Sequence, residues 1–209
     1  MTFHWLLQNL GAVPLFDTAM VSQLANEKKS SVNTQLSRWV SAGRILRLRH
    51  GAYCFAPPYG RGKPSPPTVA NSLYRPSYLT SQWALSFYGL IPERVSVYTS
   101  ATQRTTKEFV NSLGTFHYSH VGRAYFFGFG PVTIDGYPVM LAEPEKALLD
   151  LWHLERKPWT LARLTEMRFQ SMQVVDADRL ESYAGRCNSP RLEAAARLWR
   201  QMASQEDAR

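Results

Sequence analysis

Between Lys28 and Arg49 the chain gathers side chains suited to a polyanion. Counted at ~100° per residue on a helix, Ser31, Thr34, Ser37, Arg38 and Ser41 stand opposite the apolar stripe Val32, Leu36, Trp39 and Val40, with Asn33 and Gln35 on its flanks. That face holds no carboxylate to repel phosphate, and Arg, Gln, Ser and Thr can hydrogen-bond base edges in a major groove. Ser31, Thr34, Gln35 and Arg38 are therefore expected to read bases. Lys28 and Lys29 before the helix, and Arg44, Arg47 and Arg49 after it, are expected to hold phosphates or reach a minor groove. Singly, each would be an ordinary solubilising charge. Together they point to double-stranded DNA ahead of structured RNA, whose modules usually carry stacking aromatics in a strand motif that this sequence lacks.

A helix presenting such a face needs neighbours to hold it. Phe3, Leu6, Leu7 and Leu10 fall at i, i+3, i+4 and i+7, an amphipathic stripe that Gly11 can end. Asp17 can cap a second helix that turns Met20, Val21, Leu24 and Ala25 inward. Ser30 or Ser31 can cap the third helix, and Gly43 can end it. Leu46 and Leu48 then alternate with Arg47 and Arg49, a turn fits at His50 and Gly51, and Tyr53 and Phe55 resume the alternation. Three helices and a basic hairpin predict a winged helix-turn-helix over residues 1–56. The proline-rich run APPYGRGKPSPPT predicts an extended linker over 57–68, which leaves 69–209 as a second domain.

In that second domain the patterns predict a helix from Ser81 to Tyr88 ended by Gly89, strands at Val95 to Thr99, Thr115 to Val121 and Tyr125 to Phe129, and a hairpin at Asp135-Gly136. Pro144 and Pro190 suit the first turns of two further helices. The fold class is therefore α+β: a winged helix followed by a mixed α+β domain with a helical C-terminal end. Net charge is +8, and eight Lys or Arg up to Pro64 face only Asp17 and Glu27, so +6 of it lies in the first 64 residues and +2 in the rest. A field so concentrated suggests a polyanion partner for the N-terminal part and little field for one in the second domain.

Catalytic readings are weak. Asp135, Glu143, Glu145 and Lys146 suggest a metal-dependent nuclease set, but Glu145 and Lys146 are adjacent and open a helix, where acidic residues are explained by the helix dipole. His117 and His120 lack a nucleophile elbow, and GFG at Gly128 to Gly130 is too short for a phosphate loop. Cys54 and Cys187 stand far apart with no metal-ligand spacing and read as buried structural thiols. No catalytic residue, metal or cofactor is expected. Nor is a membrane span, because no apolar run approaches ~18 residues. The first ten residues carry no basic cluster of the secretory kind, so a cytoplasmic location is expected.

Four stretches carry a family resemblance: SVNTQLSRWVSAGRILRLRHGAYCF from Ser31, SYLTSQWALSFYGLIPE from Ser77, VYTSATQRTTKEF from Val97 and EPEKALLDL from Glu143. In order and spacing the chain resembles the AbiEi antitoxins of abortive-infection toxin-antitoxin systems, regulators of phage defence. The resemblance implies an N-terminal winged helix that represses the protein's own operon and a C-terminal domain that neutralises a nucleotidyltransferase-like toxin. It implies no activity for the chain itself. A stand-alone repressor sensing a ligand in an aromatic pocket is the alternative.

Overall fold

The computed structural model describes residues 1–62 and 64–206. Lys63 of the expected linker and residues 207–209 of the expected second domain lie outside the described residues. The fold is α+β, as the patterning predicts.

The N-terminal unit runs α1 (Phe3–Leu10), β1 (Phe16–Asp17), α2 (Thr18–Ala25), α3 (Lys29–Ser41), β2 (Ile45–Arg49) and β3 (Ala52–Phe55). The three strands form one antiparallel sheet in the order β1-β3-β2. Its core is Leu6, Leu10, Phe16, Val21, Val32, Leu36, Ile45, Tyr53 and Phe55. Asp17 caps α2 by accepting from the Met20 N–H at 2.7 Å. Gly43, at φ 67°, ends α3: its N–H reaches the Val40 carbonyl and that of Arg44 the Trp39 carbonyl, the paired bonds of a left-handed helix stop.

Three local expectations are corrected. Helix α3 begins at Lys29, two or three residues earlier than a Ser30 or Ser31 cap would place it, and no side chain caps it. On α2 only Val21 is buried; Met20 and Leu24 face outward. In the hairpin a bulge between Arg47 and Arg49 breaks the alternation, so Ile45 and Leu48 are buried while Leu46 is only partly covered.

All four residues of β3 are buried because its two faces serve different cores. Tyr53 and Phe55 point into the N-terminal core, whereas Ala52 and Cys54, with Leu48 of β2, join the core of the second unit. The expected linker is likewise short and docked. Arg61 and Gly62 donate backbone N–H bonds to the Gly11 carbonyl, and Pro66 opens α4 (Pro66–Leu73), so the described residues of 57–68 are held against the fold rather than extended as a tether.

The second unit comprises β4 (Ser77–Leu79), α5 (Ser81–Phe87), β5 (Val97–Thr102), β6 (Lys107–Asn111), β7 (Gly114–His120), β8 (Phe129–Ile134) and β9 (Tyr137–Ala142). Its strands form a six-stranded mixed sheet in the order β6-β7-β5-β4-β9-β8. The expected strand Tyr125 to Phe129 is instead a 3₁₀ turn, Arg123–Tyr125, and an irregular segment whose aromatics pack inward: Phe126 on Tyr78 and Phe127 on Tyr183. Asp135 and Gly136 both take positive φ (52° and 80°), the turn that a two-residue hairpin requires. Tyr118 donates to the Ala70 carbonyl of α4, and Tyr78, on the opposite face of the ladder, donates to Asp150 of α6 (Pro144–Leu154), so helices cover both faces. Helices α7 (Leu161–Glu166), α8 (Ala177–Arg186) and α9 (Pro190–Glu206) complete the C-terminal end, where Trp152, Trp159, Trp199 and Phe169 pack together.

Candidate nucleic-acid interface

The apolar stripe of α3 explains why its other side faces outward. Val32 and Leu36 are fully buried, which leaves Ser30, Ser31, Asn33, Thr34, Ser37, Arg38 and Ser41 exposed. The four side chains expected to read bases share this helix but not the same freedom. Gln35 donates from Nε2 to Glu27 at 2.8 Å, and Ser31 donates to the same carboxylate at 3.3 Å. Glu27 also binds the N-terminal ammonium, whose bond is the main cause holding the Glu27 carboxyl below its usual range, against desolvation. The Gln35 carbonyl oxygen is buried with no partner among the described residues. Ser31 and Gln35 are thus tied to Glu27. Thr34 bonds back to the Ser30 carbonyl at 3.1 Å. Arg38 is exposed with no side-chain bond among the described residues, between two shallow recesses, one lined by Phe3, Gln35, Trp39 and Arg44 and the other by Asn33, Ser37 and Ser41. Asn33 and Ser37, outside the set expected to read bases, are also exposed. Thr18 donates to Asn33 at 3.0 Å, which links α3 to the start of α2.

Four of the five expected phosphate ligands remain exposed. Lys28 and Lys29 sit at the N-terminus of α3 with no acidic residue in its first turn. Cations there oppose the helix dipole, an arrangement that an incoming anion would relieve. Arg44 lies over the Phe3 ring at 5.1 Å, and Arg47 bonds His50 at 3.0 Å. Arg49 differs. It is half-buried and donates from Nε to the Leu73 carbonyl at 2.7 Å and from Nη1 to the His50 carbonyl at 2.8 Å, so it clamps the hairpin to α4 rather than reaching out from the hairpin. The bulge after Arg47 turns it inward, which simple alternation did not show. None of these basic residues forms an ion pair among the described residues.

The residues weighed for catalysis do not converge. Lys146 is fully buried and bonds Asp150, which also accepts from Tyr78 at 2.9 Å and Thr80 at 2.7 Å. Glu145 accepts the Asp176 N–H at 2.8 Å, Glu143 accepts from the Tyr183 hydroxyl at 2.6 Å, and Asp135 stands apart at the β8–β9 turn. Buried charges without partners are costly, and here Lys146 and Asp150 partner each other while the Glu145 Oε2, with no hydrogen bond among the described residues, lies 3.9 Å from Arg179; the network ties α6 to the sheet and to α8. The sequence reading missed Asp150 and Tyr78; a Lys and an Asp four apart on an apolar helix were the available signal. Among the described residues no group of three His, Cys, Asp or Glu side chains could hold a metal, and no helix is long and apolar enough to cross a membrane. Cys54 and Cys187 are buried free thiols, and burial pushes the Cys54 thiol up to about 11. In comparisons with known proteins, no family model matches the chain and no curated protein matches it.

Proposed function

We propose that the protein is a winged-helix DNA-binding repressor that uses α3 to read its operator and the β2–β3 hairpin as the wing, and that it serves as the antitoxin of a nucleotidyltransferase-like toxin. One observation carries the DNA reading: α3 itself has no acidic residue on its exposed face, the Glu27 carboxylate beside it is engaged by the N-terminal ammonium, Ser31 and Gln35, and Arg38 at the centre of the face, like Lys28, Lys29, Arg44 and Arg47 around it, has no ion pair among the described residues. Arg38 can make a bidentate contact to guanine, Asn33, Thr34 and Ser37 can bond neighbouring base edges, and the four other cations can bind phosphates. Ser31 and Gln35, held by Glu27, support the helix more than they read from it.

The antitoxin half rests on the resemblance to AbiEi proteins, carried by the motifs from Ser31, Ser77, Val97 and Glu143. On this reading the protein works in the cytoplasm, on its own promoter, as part of a phage-defence operon. A promoter reporter run beside a growth assay, with and without the neighbouring toxin gene, tests both halves. Repression lost in Arg38→Ala and protection lost on deletion of the second unit are the expected results. A promoter unaffected by the wild-type protein would refute the DNA reading.

A specific observation favours the alternative, a repressor that responds to a ligand. An open groove of about 690 Å³, lined mainly by apolar side chains that include Met20, Phe126, Phe129 and Met140, runs between the two units. A small apolar molecule that raises the melting temperature and releases DNA would support it.

A further inference from the structure

We propose that Arg75, Arg104 and Lys107 of the second unit continue the phosphate-binding surface beyond the hairpin, so that DNA held by α3 is gripped by both units. The proposal rests on the DNA reading above and goes beyond it, because the second unit carries little of the net charge and was not expected to meet nucleic acid.

Contacts connect the surface step by step. Thr18 joins Asn33 of α3 to the hairpin turn, its N–H donating to the Gly51 carbonyl at 3.1 Å. Arg49 then joins the hairpin to Leu73. The next residue, Tyr74, lies under the Arg104 guanidinium at 4.2 Å and meets Phe109 edge-on at 5.9 Å. Lys107 stands over Phe109 at 5.7 Å, and Arg104 donates to the Arg75 carbonyl at 3.4 Å. Asn111 of the same strand donates to the Leu48 carbonyl at 3.1 Å, which fixes β6 against the hairpin.

What these three cations lack is as telling as where they stand. All three are exposed, and none has a carboxylate partner among the described residues. Stacking on an aromatic ring holds Arg104 in place while leaving its charge and its N–H edge for another ligand. The only acidic residue on β6 is Glu108, and strand alternation sends it to the opposite face, where it meets His117 at 3.5 Å. Between Glu27 and Glu93 the sequence contains no Asp or Glu, so α3, the hairpin, α4 and Arg75 contribute no acidic residue; Asp17, beside Thr18, is the carboxylate where α2 meets the hairpin, and it accepts the Met20 N–H at 2.7 Å. Cations spread over these neighbouring elements without carboxylate partners among the described residues suit the evenly spaced charge of a duplex backbone.

The test uses the full-length protein and fluorescein-labelled mixed-sequence duplexes of about 12 and about 30 base pairs, roughly one and three helical turns. On the longer duplex, Arg104→Ala with Lys107→Ala should lower the slope of log K against log salt by about two units and weaken binding roughly 10- to 100-fold near 0.1 M salt. On the shorter one the loss should be small. Should the double variant fail to fold, Lys107→Gln, at an exposed position, should still lower the slope by about one unit, and Lys107→Arg should restore it. An unchanged slope on the longer duplex, with Arg44→Ala and Arg47→Ala still lowering it, would overturn this proposal and leave the DNA reading standing. Wild-type protein with no salt-dependent binding to either duplex would overturn both.

Discussion

Of the six arginines in the C-terminal helices α7 to α9, four meet carboxylates, while Arg186 lies over the Phe127 ring and Arg191 bonds backbone carbonyls. Arg163 bonds Glu155, Arg179 lies 3.9 Å from Glu145, Arg197 reaches Glu193 at 3.4 Å, and Arg200 holds Asp178 and Glu181 at 2.6 and 2.7 Å. In the N-terminal unit Lys28, Lys29, Arg38, Arg44 and Arg47 meet none among the described residues. The two regions use the same side chains with opposite outcomes. Paired cations organise helices and cancel their own field, whereas unpaired ones leave a field for a partner. Net charge alone does not separate these cases; pairing does.

The largest expected effect lies on the paired side. Lys146→Ala leaves Asp150 charged and buried beside Tyr78 and Thr80, and chemical denaturation should show a loss of about 3–5 kcal/mol. Any folded fraction should bind DNA as the wild type does. Next comes the centre of the unpaired side. Arg38→Ala should cost about 1–3 kcal/mol of discrimination between operator and unrelated DNA, read from competition binding, with the melting temperature unchanged.

Arg47 and Arg49 sharpen the contrast within one hairpin. Arg47→Ala should lower the salt slope by about one unit without affecting stability. Arg49→Ala removes donors from the Leu73 and His50 carbonyls and should lower the melting temperature, because it loosens the join between units. If the two variants behave alike, the assignment of one to phosphate and the other to the join fails.

The smallest effect concerns pH. His153 is stacked on Tyr125 at 4.0 Å, and its pKa is lowered, first by desolvation and also by Lys146 and Arg191, against Asp150. A histidine kept neutral in the fold takes up its proton more readily when unfolded, so its contribution to stability is present above the unfolded value of about 6.5 and declines as pH falls through it. The drop in melting temperature between neutral and mildly acidic buffer should shrink in His153→Gln.

Much of this was legible in the residues. Asp17, Gly43, Gly89, Pro144 and the Asp135-Gly136 pair mark real element ends, since caps and turns act locally. The stripes of α1 and α3 were legible too, because one buried face has one period. Less legible was whatever depends on a second surface. Met20 and Leu24 face outward, and β3 is buried on both faces because another unit packs against it. Arg49 turns inward because of a bulge that no pattern marks. The proline run suggested a tether, yet Pro66 and Pro67 begin a helix, as prolines in a first turn can. Charge counting by segment hid Arg75, Arg104 and Lys107, whose lack of carboxylate partners among the described residues is visible only in three dimensions.

Salt-dependent binding of matched charge variants measures the central claim most directly. One variant replaces Arg38, Arg44 and Arg47 with Ala, and the other replaces Arg163, Arg197 and Arg200. On promoter DNA the first should lower the slope of log K against log salt by about three units, and the second, if folded, should leave it within experimental error. Equal losses in the two variants, or a loss confined to the second, would contradict the division between free and paired cations on which this account stands.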